Sequence, residues 1–159
     1  MTAIENLMKD AAVAEQKVQE AKQTRKAALE ALHDALKIRF KLYCKTFEPL
    51  NEWADTLNYY RIPEIHEDGF HDDWGNNGLA RVTEEGAFTH IYTNDYFRGE
   101  RDEFMASIPS KYLLNAGEQA MREDAARVQS ELDTLQKQKD AKVEQAQREE
   151  YARLKRRFG

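Results

Sequence analysis

The sequence predicts a mainly α protein, in which a long antiparallel helical hairpin forms a coiled-coil stalk and carries a small inserted α+β head with a β-hairpin. Helix breakers concentrate between residues 47 and 113, and outside that window apolar residues recur at steps of three and four. The two flanking segments also have nearly equal length. We therefore divide the chain into residues 1–46, 47–113 and 114–159.

The first segment is predicted to be a helix that begins at a capping box and ends near Thr46, ahead of Pro49. Thr2 and Glu5 have the spacing at which a hydroxyl and a carboxylate can each accept a hydrogen bond from a backbone amide at a helix start. Pro49 has no amide hydrogen and disfavours a helical conformation in the residue before it. These two signals define the expected limits of the helix.

An apolar seam along this helix follows a heptad repeat that Arg25 and Arg39 interrupt. Alanine buries little area, so a seam rich in alanine is marginal for a single chain and predicts self-association or burial against a partner. The seam consists of Ile4, Leu7, Ala11, Ala14, Val18, Ala21, Ala28, Leu32, Ala35 and Leu42.

The head, residues 47–113, is predicted to contain two short helices and a β-hairpin. Residues 50–62 place apolar side chains on one helical face, and residues 95–107 resemble a second short helical segment. Residues 79–83 and 87–93 are rich in strand-forming residues and flank a short connection that contains glycine. This pattern predicts the hairpin.

The second long helix is expected to start between Ser110 and Asn115, with Asn115 and Glu118 as a further candidate capping box. Its seam changes register near Lys139. Two helices of matched length around an insert fold most simply as an antiparallel pair. The seam residues are Met121, Ala125, Val128, Leu132, Leu135, Val143, Ala146, Tyr151, Leu154 and Phe158.

Charge is distributed unevenly along the chain. The 24 basic and 29 acidic residues give a net charge of −5. Residues 47–113 hold five basic and fourteen acidic residues, a net charge of −9, while the two flanking segments together carry +4. Twelve of the aromatic residues also lie in the head. An acidic, aromatic-rich surface is typical of recognition of a basic protein partner.

We therefore expect a non-enzymatic interaction module whose head binds, and inhibits or regulates, a basic protein surface. Phosphates require cations, so the head is not expected to bind nucleic acid directly, but it could compete with nucleic acid for a shared partner. The expected partner-binding residues are Trp53, Tyr59, Tyr60, Asp72, Asp73, Trp74, Glu84 and Glu85.

Two alternatives stay open. The chain could be a structural or assembly subunit whose coiled coils form homo-oligomers. It could also be a metal-dependent enzyme that uses the segment from His66 to Asp73, with His66, His71 and one of Asp68, Asp72 or His90 as ligands. Because the two histidines are five residues apart in a predicted loop, this signal is weak, and we expect neither a metal nor a cofactor.

Other classes of function lack a sequence signal. No apolar run reaches the roughly 18 residues that span a bilayer, and the glycine-rich motifs of nucleotide-binding proteins and serine hydrolases are absent. A lone Cys44 forms no intrachain disulfide and no paired-cysteine metal site. We therefore expect a cytoplasmic protein without membrane contact.

Overall fold

The computed structural model describes residues 2–65, 78–97 and 100–159, in which two long helices accompany a small antiparallel sheet. This confirms the predicted fold class at the level of its elements. The helices are α1 (Ala3–Thr56) and α2 (Gly117–Phe158). The strands are β1 (Gly78–Glu85), β2 (Phe88–Phe97) and β3 (Glu100–Pro109), followed by one 3-10 turn at Ser110–Leu113.

The predicted capping box at the start of α1 is confirmed. The Thr2 amide donates to Oε2 of Glu5 at 2.7 Å, and the Glu5 amide donates to Oγ1 of Thr2 at 3.1 Å. Both hydrogen bonds satisfy amides that a helix start leaves without an intrahelical acceptor. The local sequence therefore determines where this helix begins.

The predicted end of the first helix near Thr46 is wrong, because α1 continues through Pro49 to Thr56 and absorbs the short helix expected at residues 50–62. Pro49 is exposed, so its ring faces water and the hydrogen bond it cannot donate is lost at the surface. The helix instead ends where Asn58 takes a positive φ of 53° and the Tyr59 amide donates to the Ala54 carbonyl at 2.9 Å. This is a Schellman-type cap with asparagine at the left-handed position.

The predicted β-hairpin is present as β1 and β2, which pair antiparallel from Gly78 opposite Asn94 to Glu85 opposite Phe88. Its two-residue turn has Gly86 at the first position with φ +60°. Glycine adopts that conformation without the steric penalty that a Cβ would bring. An irregularity between Leu79 and Arg81 shifts the register near the start of β1.

The short helix expected at residues 95–107 is wrong, since Glu100–Pro109 forms β3, the third strand of the sheet in the order β1-β2-β3. Within β3, Ala106 and Ile108 are fully buried, whereas Glu103 is exposed. Ala106 and Ile108 are two residues apart, which is the spacing at which side chains of a strand share one face of the sheet. Pairing of this segment in the sheet, with Ala106 and Ile108 buried, outweighs the helical pattern expected from the sequence.

The second helix begins later than expected, at Gly117, and Asn115 and Glu118 do not form the predicted capping box. The residue before the helix is Ala116, which makes no side-chain capping hydrogen bond. The 3-10 segment ends at Leu113, Leu114 is extended, and the Gly117 amide then donates to the Leu114 carbonyl at 2.9 Å in a separate tight turn that leads into the helix. Three basic residues in the last turn of α2 complement its dipole.

The described residues divide into two compact units, to both of which α1 contributes. One unit draws on Met1–Phe40 and Glu67–Ser107, and the other on Lys41–His66 and Ile108–Gly159. In the first unit the buried side chains are Leu36, Phe40, Thr89, Ile91, Thr93, Ala106 and Ser107. In the second unit they are Pro109 and the residues Tyr43, Phe47, Leu50, Ala54, Ile62, Ile108, Tyr112, Met121, Val128 and Leu132.

Candidate interaction surfaces

Two of the expected partner-binding aromatics contact the protein's own second helix. Nε1 of Trp53, in the last turn of α1, donates to Oε1 of Gln136 at 3.4 Å. The hydroxyl of Tyr59, just after the helix, donates to a carboxylate oxygen of Glu131. Both side chains are half-buried. Trp53 and Tyr59 therefore hold the end of α1 against α2, a role in the architecture of the chain itself.

The other expected partner-binding residues divide into exposed and undescribed ones. Tyr60 is 80% exposed, and Glu84 and Glu85 lie exposed next to the β1–β2 turn. Asp72, Asp73 and Trp74 lie outside the described residues. Among the expected residues that the structure describes, only Tyr60, Glu84 and Glu85 are both exposed and suited to contact a basic surface.

A polar network that the sequence interpretation missed connects the 3-10 turn to α2. Oδ2 of Asp124 accepts a hydrogen bond from the Tyr112 hydroxyl at 2.7 Å and lies 2.5 Å from Nζ of Lys111. Arg127 lies 3.6 Å from the other Asp124 oxygen and 3.5 Å from Glu131. The helical spacing of residues 124, 127 and 131 predicts the ion pairs of Arg127 with Asp124 and Glu131 on α2. It does not predict the contacts of Asp124 with Lys111 and Tyr112.

These contacts shift the ionisation of the groups they join. Partial burial by itself would raise the pKa of Asp124, but hydrogen bonds from Lys111 and Tyr112 and the nearby Arg127 charge hold it below its usual value. Burial and donation to Asp124 raise the pKa of Tyr112. The carboxylate therefore stays charged and the phenol stays neutral, which preserves the hydrogen bond between them.

An aromatic cluster lies beside this network. The ring centroids of Tyr43 and Phe47 are 5.3 Å apart, and each ring lies 5.7 Å from the ring of Tyr112. Burial raises the pKa of Tyr43 to about 12. Phe47 and Tyr112, two of the aromatics that the sequence places in the head, thus form part of the core in the second unit.

One face of the sheet carries polar side chains that contact across all three strands. The guanidinium of Arg81 lies 4.0 Å from the ring centroid of Tyr92, its partner on β2, and donates to Oε1 of Glu103 on β3 at 2.8 Å. On the same face, Nδ1 of His90 lies 2.6 Å from Oγ of Ser107. Because His90 is in contact with Ser107 and lies 3.3 Å from Glu85 at its other nitrogen, its ring is oriented by residues of the sheet.

The candidate metal segment from His66 to Asp73 lies outside the described residues, so His66, His71, Asp68 and Asp72 are not placed. Within the parts of the chain that the structure describes, no three His, Cys, Asp or Glu side chains form a group that could hold a metal ion. Cys44 is half-buried on α1.

The first half of α1 exposes a long run of apolar side chains to water. Every residue from 2 to 32 is exposed, including eight of the ten apolar residues of the seam predicted from the heptad pattern. The exposed fractions are 70% for Ile4, 66% for Leu7, 48% for Val18 and 44% for Leu32. The structure thus shows the seam on one helix without showing the coiled-coil packing that was expected to cover it.

The last part of α2 is similarly exposed. All residues from 137 to 159 are exposed, with Val143, Tyr151, Leu154 and Phe158 as the large apolar side chains. Charged neighbours one turn apart bond along its surface, as where Arg153 donates to Glu150 at 2.6 Å. Such pairs stabilise a solvated helix modestly.

None of the described helices contains a stretch long and apolar enough to cross a membrane. No protein-family model, curated protein or solved structure matches this chain.

Proposed function

We propose that this protein is a helical assembly subunit, which associates through a coiled coil formed by the first half of α1. One observation supports this proposal above the others: thirty consecutive residues of α1, 3–32, carry an apolar seam and include no buried or half-buried residue. A lone exposed helix gains nothing from its apolar side chains. A second helix over the seam would remove them from water.

The energetics favour association of this helix. Helices without tertiary contacts are marginal in water, because most helical stability in proteins comes from packing of an apolar face. Full burial of one leucine or isoleucine side chain is worth roughly 1.5–3 kcal/mol. Ile4, Leu7 and Leu32 together supply enough apolar surface to offset a substantial part of the cost of association.

The contacts of the head residues also favour assembly over the inhibitor hypothesis. Trp53 and Tyr59, two of the aromatic anchors expected to reach a partner, are hydrogen-bonded to α2 of their own chain. Hot-spot aromatics need to insert into a pocket of the partner. Side chains that already hold α1 against α2 are poorly suited to that role.

Sedimentation velocity of the full chain from low to high micromolar concentration tests the proposal. We expect a shift from a slower to a faster species, accompanied by a melting temperature that rises with protein concentration, because assembly stabilises the folded state by mass action. A single monomeric species with a concentration-independent, cooperative melt would contradict it.

We keep binding of a basic protein surface as a second candidate function, because Tyr60 is 80% exposed and Glu84 and Glu85 lie exposed on the sheet. On this proposal the acidic residues steer a basic partner, and nucleic acid competes for the same partner surface. Affinity capture with the wild type and a Glu84→Lys/Glu85→Lys variant tests it. A salt-sensitive basic partner retained only by the wild type would support binding, and equal retention by both would count against these residues.

A further inference from the structure

We propose that the helix covering the α1 seam is α1 of a second copy, running antiparallel, with Leu7 opposite the partner's Leu32. This inference rests on the proposed assembly function and specifies its geometry. The charges that flank the exposed seam point to this geometry, because apolar contacts in a coiled coil set stability whereas flanking charges set orientation and register.

The flanking positions follow from the seam itself. When Ile4, Leu7 and the residues that continue their repeat face a partner, the next positions on either side form the edges of the interface. On one edge lie Met8, Glu15, Lys22 and Leu29, and on the other lie Asp10, Lys17, Thr24 and Ala31. All eight side chains belong to the fully exposed part of α1.

A parallel, in-register pair would bring like charges together. In that arrangement a residue on the second edge meets the first-edge residue five positions later on the partner. Asp10 would face the partner's Glu15, and Lys17 would face the partner's Lys22. Each contact occurs twice by symmetry, so a parallel dimer would hold four repulsive pairs.

An antiparallel pair instead brings residues of the same edge together. With Leu7 opposite the partner's Leu32, Glu15 lies beside the partner's Lys22, and symmetry repeats this ion pair. On the same edge Met8 lies beside the partner's Leu29, which extends the apolar interface beyond the seam. Met8 and Leu29 are 68% and 38% exposed in the chain, so both have surface to lose to a partner.

Neighbouring antiparallel registers are disfavoured by charge. A shift of one heptad in one direction places Glu15 beside the partner's Glu15 and Lys17 beside the partner's Lys17. A shift in the other direction places Lys22 beside the partner's Lys22. A two-heptad shift can pair Asp10 with the partner's Lys17, but it leaves Leu32 outside the overlap.

The proposed register also accommodates Arg25, the charged residue within the seam. It lies opposite the partner's Ala14, whose methyl group leaves space for the aliphatic part of the arginine side chain. The guanidinium can then extend to water, as long basic side chains do at the borders of apolar surfaces. A single polar seam residue of this kind weakens an assembly but helps to fix its register.

Disulfide cross-linking in a Cys44→Ser background tests the arrangement. Leu7→Cys and Leu32→Cys proteins are oxidised separately and after mixing, and the same samples are examined by sedimentation. We expect covalent dimers from the mixture and none from either protein alone, because the two copies of residue 7 would lie about 37 Å apart at a rise of 1.5 Å per residue.

The other outcomes separate the geometry from the assembly function. A covalent dimer of Leu7→Cys alone would show a parallel pair and overturn the inference while leaving assembly intact. Sedimenting dimers that no combination cross-links would overturn the register. Monomers at all concentrations, in both the wild type and the Cys44→Ser background, would overturn the assembly function and the inference together.

A charge substitution provides a second measurement that needs no cross-link. Glu15→Lys converts both antiparallel ion pairs into repulsions, and we expect the dimer dissociation constant to rise about 10-fold. Adding Lys22→Glu should restore it. In a parallel dimer, Glu15→Lys would face Asp10 and tighten the dimer, so the sign of the change distinguishes the two arrangements.

Discussion

Asp124 is the residue on which the polar contacts of the second unit converge. It accepts a hydrogen bond from Tyr112, pairs with Lys111 at 2.5 Å and lies near Arg127. Tyr112 in turn packs on Tyr43 and Phe47. One carboxylate thus ties the 3-10 turn and its aromatic ring to α2. Hydrogen bonds to a charged acceptor are stronger than neutral ones, and leaving a half-buried donor unsatisfied is costly.

We predict that Asp124→Asn lowers the free energy of unfolding by about 1–3 kcal/mol at neutral pH, because hydrogen bonds to charged groups contribute about that much. Since the folded-state pKa of Asp124 is lowered, its contribution is present above the unfolded pKa and is lost as the pH falls through the folded pKa. The difference between wild type and variant should therefore shrink in strong acid.

Urea unfolding at neutral and acidic pH checks this prediction. Asp133→Asn is the matched control, since Asp133 is exposed on the same helix and accepts only a long 3.4 Å hydrogen bond from Gln129. We expect the control to change stability by less than about 0.5 kcal/mol. Equal losses in both variants would show that Asp124 has no special role.

The residue-scale contacts differ in how far the sequence predicts them. The pair of Thr2 and Glu5 is recognisable from three-residue spacing, because its partners lie within one helical turn. The contacts of Asp124 with Lys111 and Tyr112 depend on how the 3-10 turn packs on α2, and spacing along the chain does not reveal that. The bonds of Trp53 and Tyr59 to α2 are unpredictable for the same reason.

At the scale of elements, burial of apolar faces determines where the first helix ends and which segments form strands, more than helix-breaking residues such as proline do. Pro49 was expected to terminate the first helix, but Phe47, Leu50 and Ala54 are buried in one continuous helical face. Burial of that face outweighs one missing hydrogen bond at the exposed side. The β1–β2 hairpin was predictable because its turn has a glycine where positive φ is required.

We predict that Pro49→Ala stabilises the protein by about 1–2 kcal/mol. Alanine restores an amide donor in the helix and removes the steric conflict of the proline ring, an effect of about 3 kcal/mol in a helix interior. The added freedom of the unfolded chain reduces the gain by up to about 1 kcal/mol. Urea unfolding of the two proteins provides the measurement.

Pro63→Ala is the matched control for this substitution, because Pro63 is exposed and lies outside the helix. It should be neutral or slightly destabilising, since it only increases the freedom of the unfolded chain. A loss of stability in Pro49→Ala would show that the proline stabilises the helix at this position, which contradicts the prediction.

At the scale of the whole molecule, the net negative charge and the exposed apolar seam lie in different parts of the sequence. The net negative charge lies in residues 47–113, and the exposed apolar seam lies in the first half of α1. The heptad pattern predicted the seam, and the structure shows its residues on an exposed helix. The pattern did not reveal what covers the seam, because the same spacing serves a helix of the same chain and a helix of another.

Val18 and Val13 provide a closely matched pair with which to test assembly. They are the same residue type on the same exposed helix and are 48% and 45% exposed. Val18 belongs to the seam, whereas Val13 lies outside it in the heptad repeat. Val18→Glu and Val13→Glu should therefore change the stability of the isolated chain by similar amounts. Only Val18→Glu should weaken the assembly.

Sedimentation equilibrium of the full chain with Val18→Glu, compared with Val13→Glu and the wild type, tests the assembly function most directly. We predict that Val18→Glu raises the dissociation constant about 100-fold, as expected when two buried valines are lost from a symmetric dimer, while Val13→Glu leaves it within a few-fold of the wild type. Equal association of the two variants, or a wild type that stays monomeric throughout, would contradict the proposal that the α1 seam is an assembly interface.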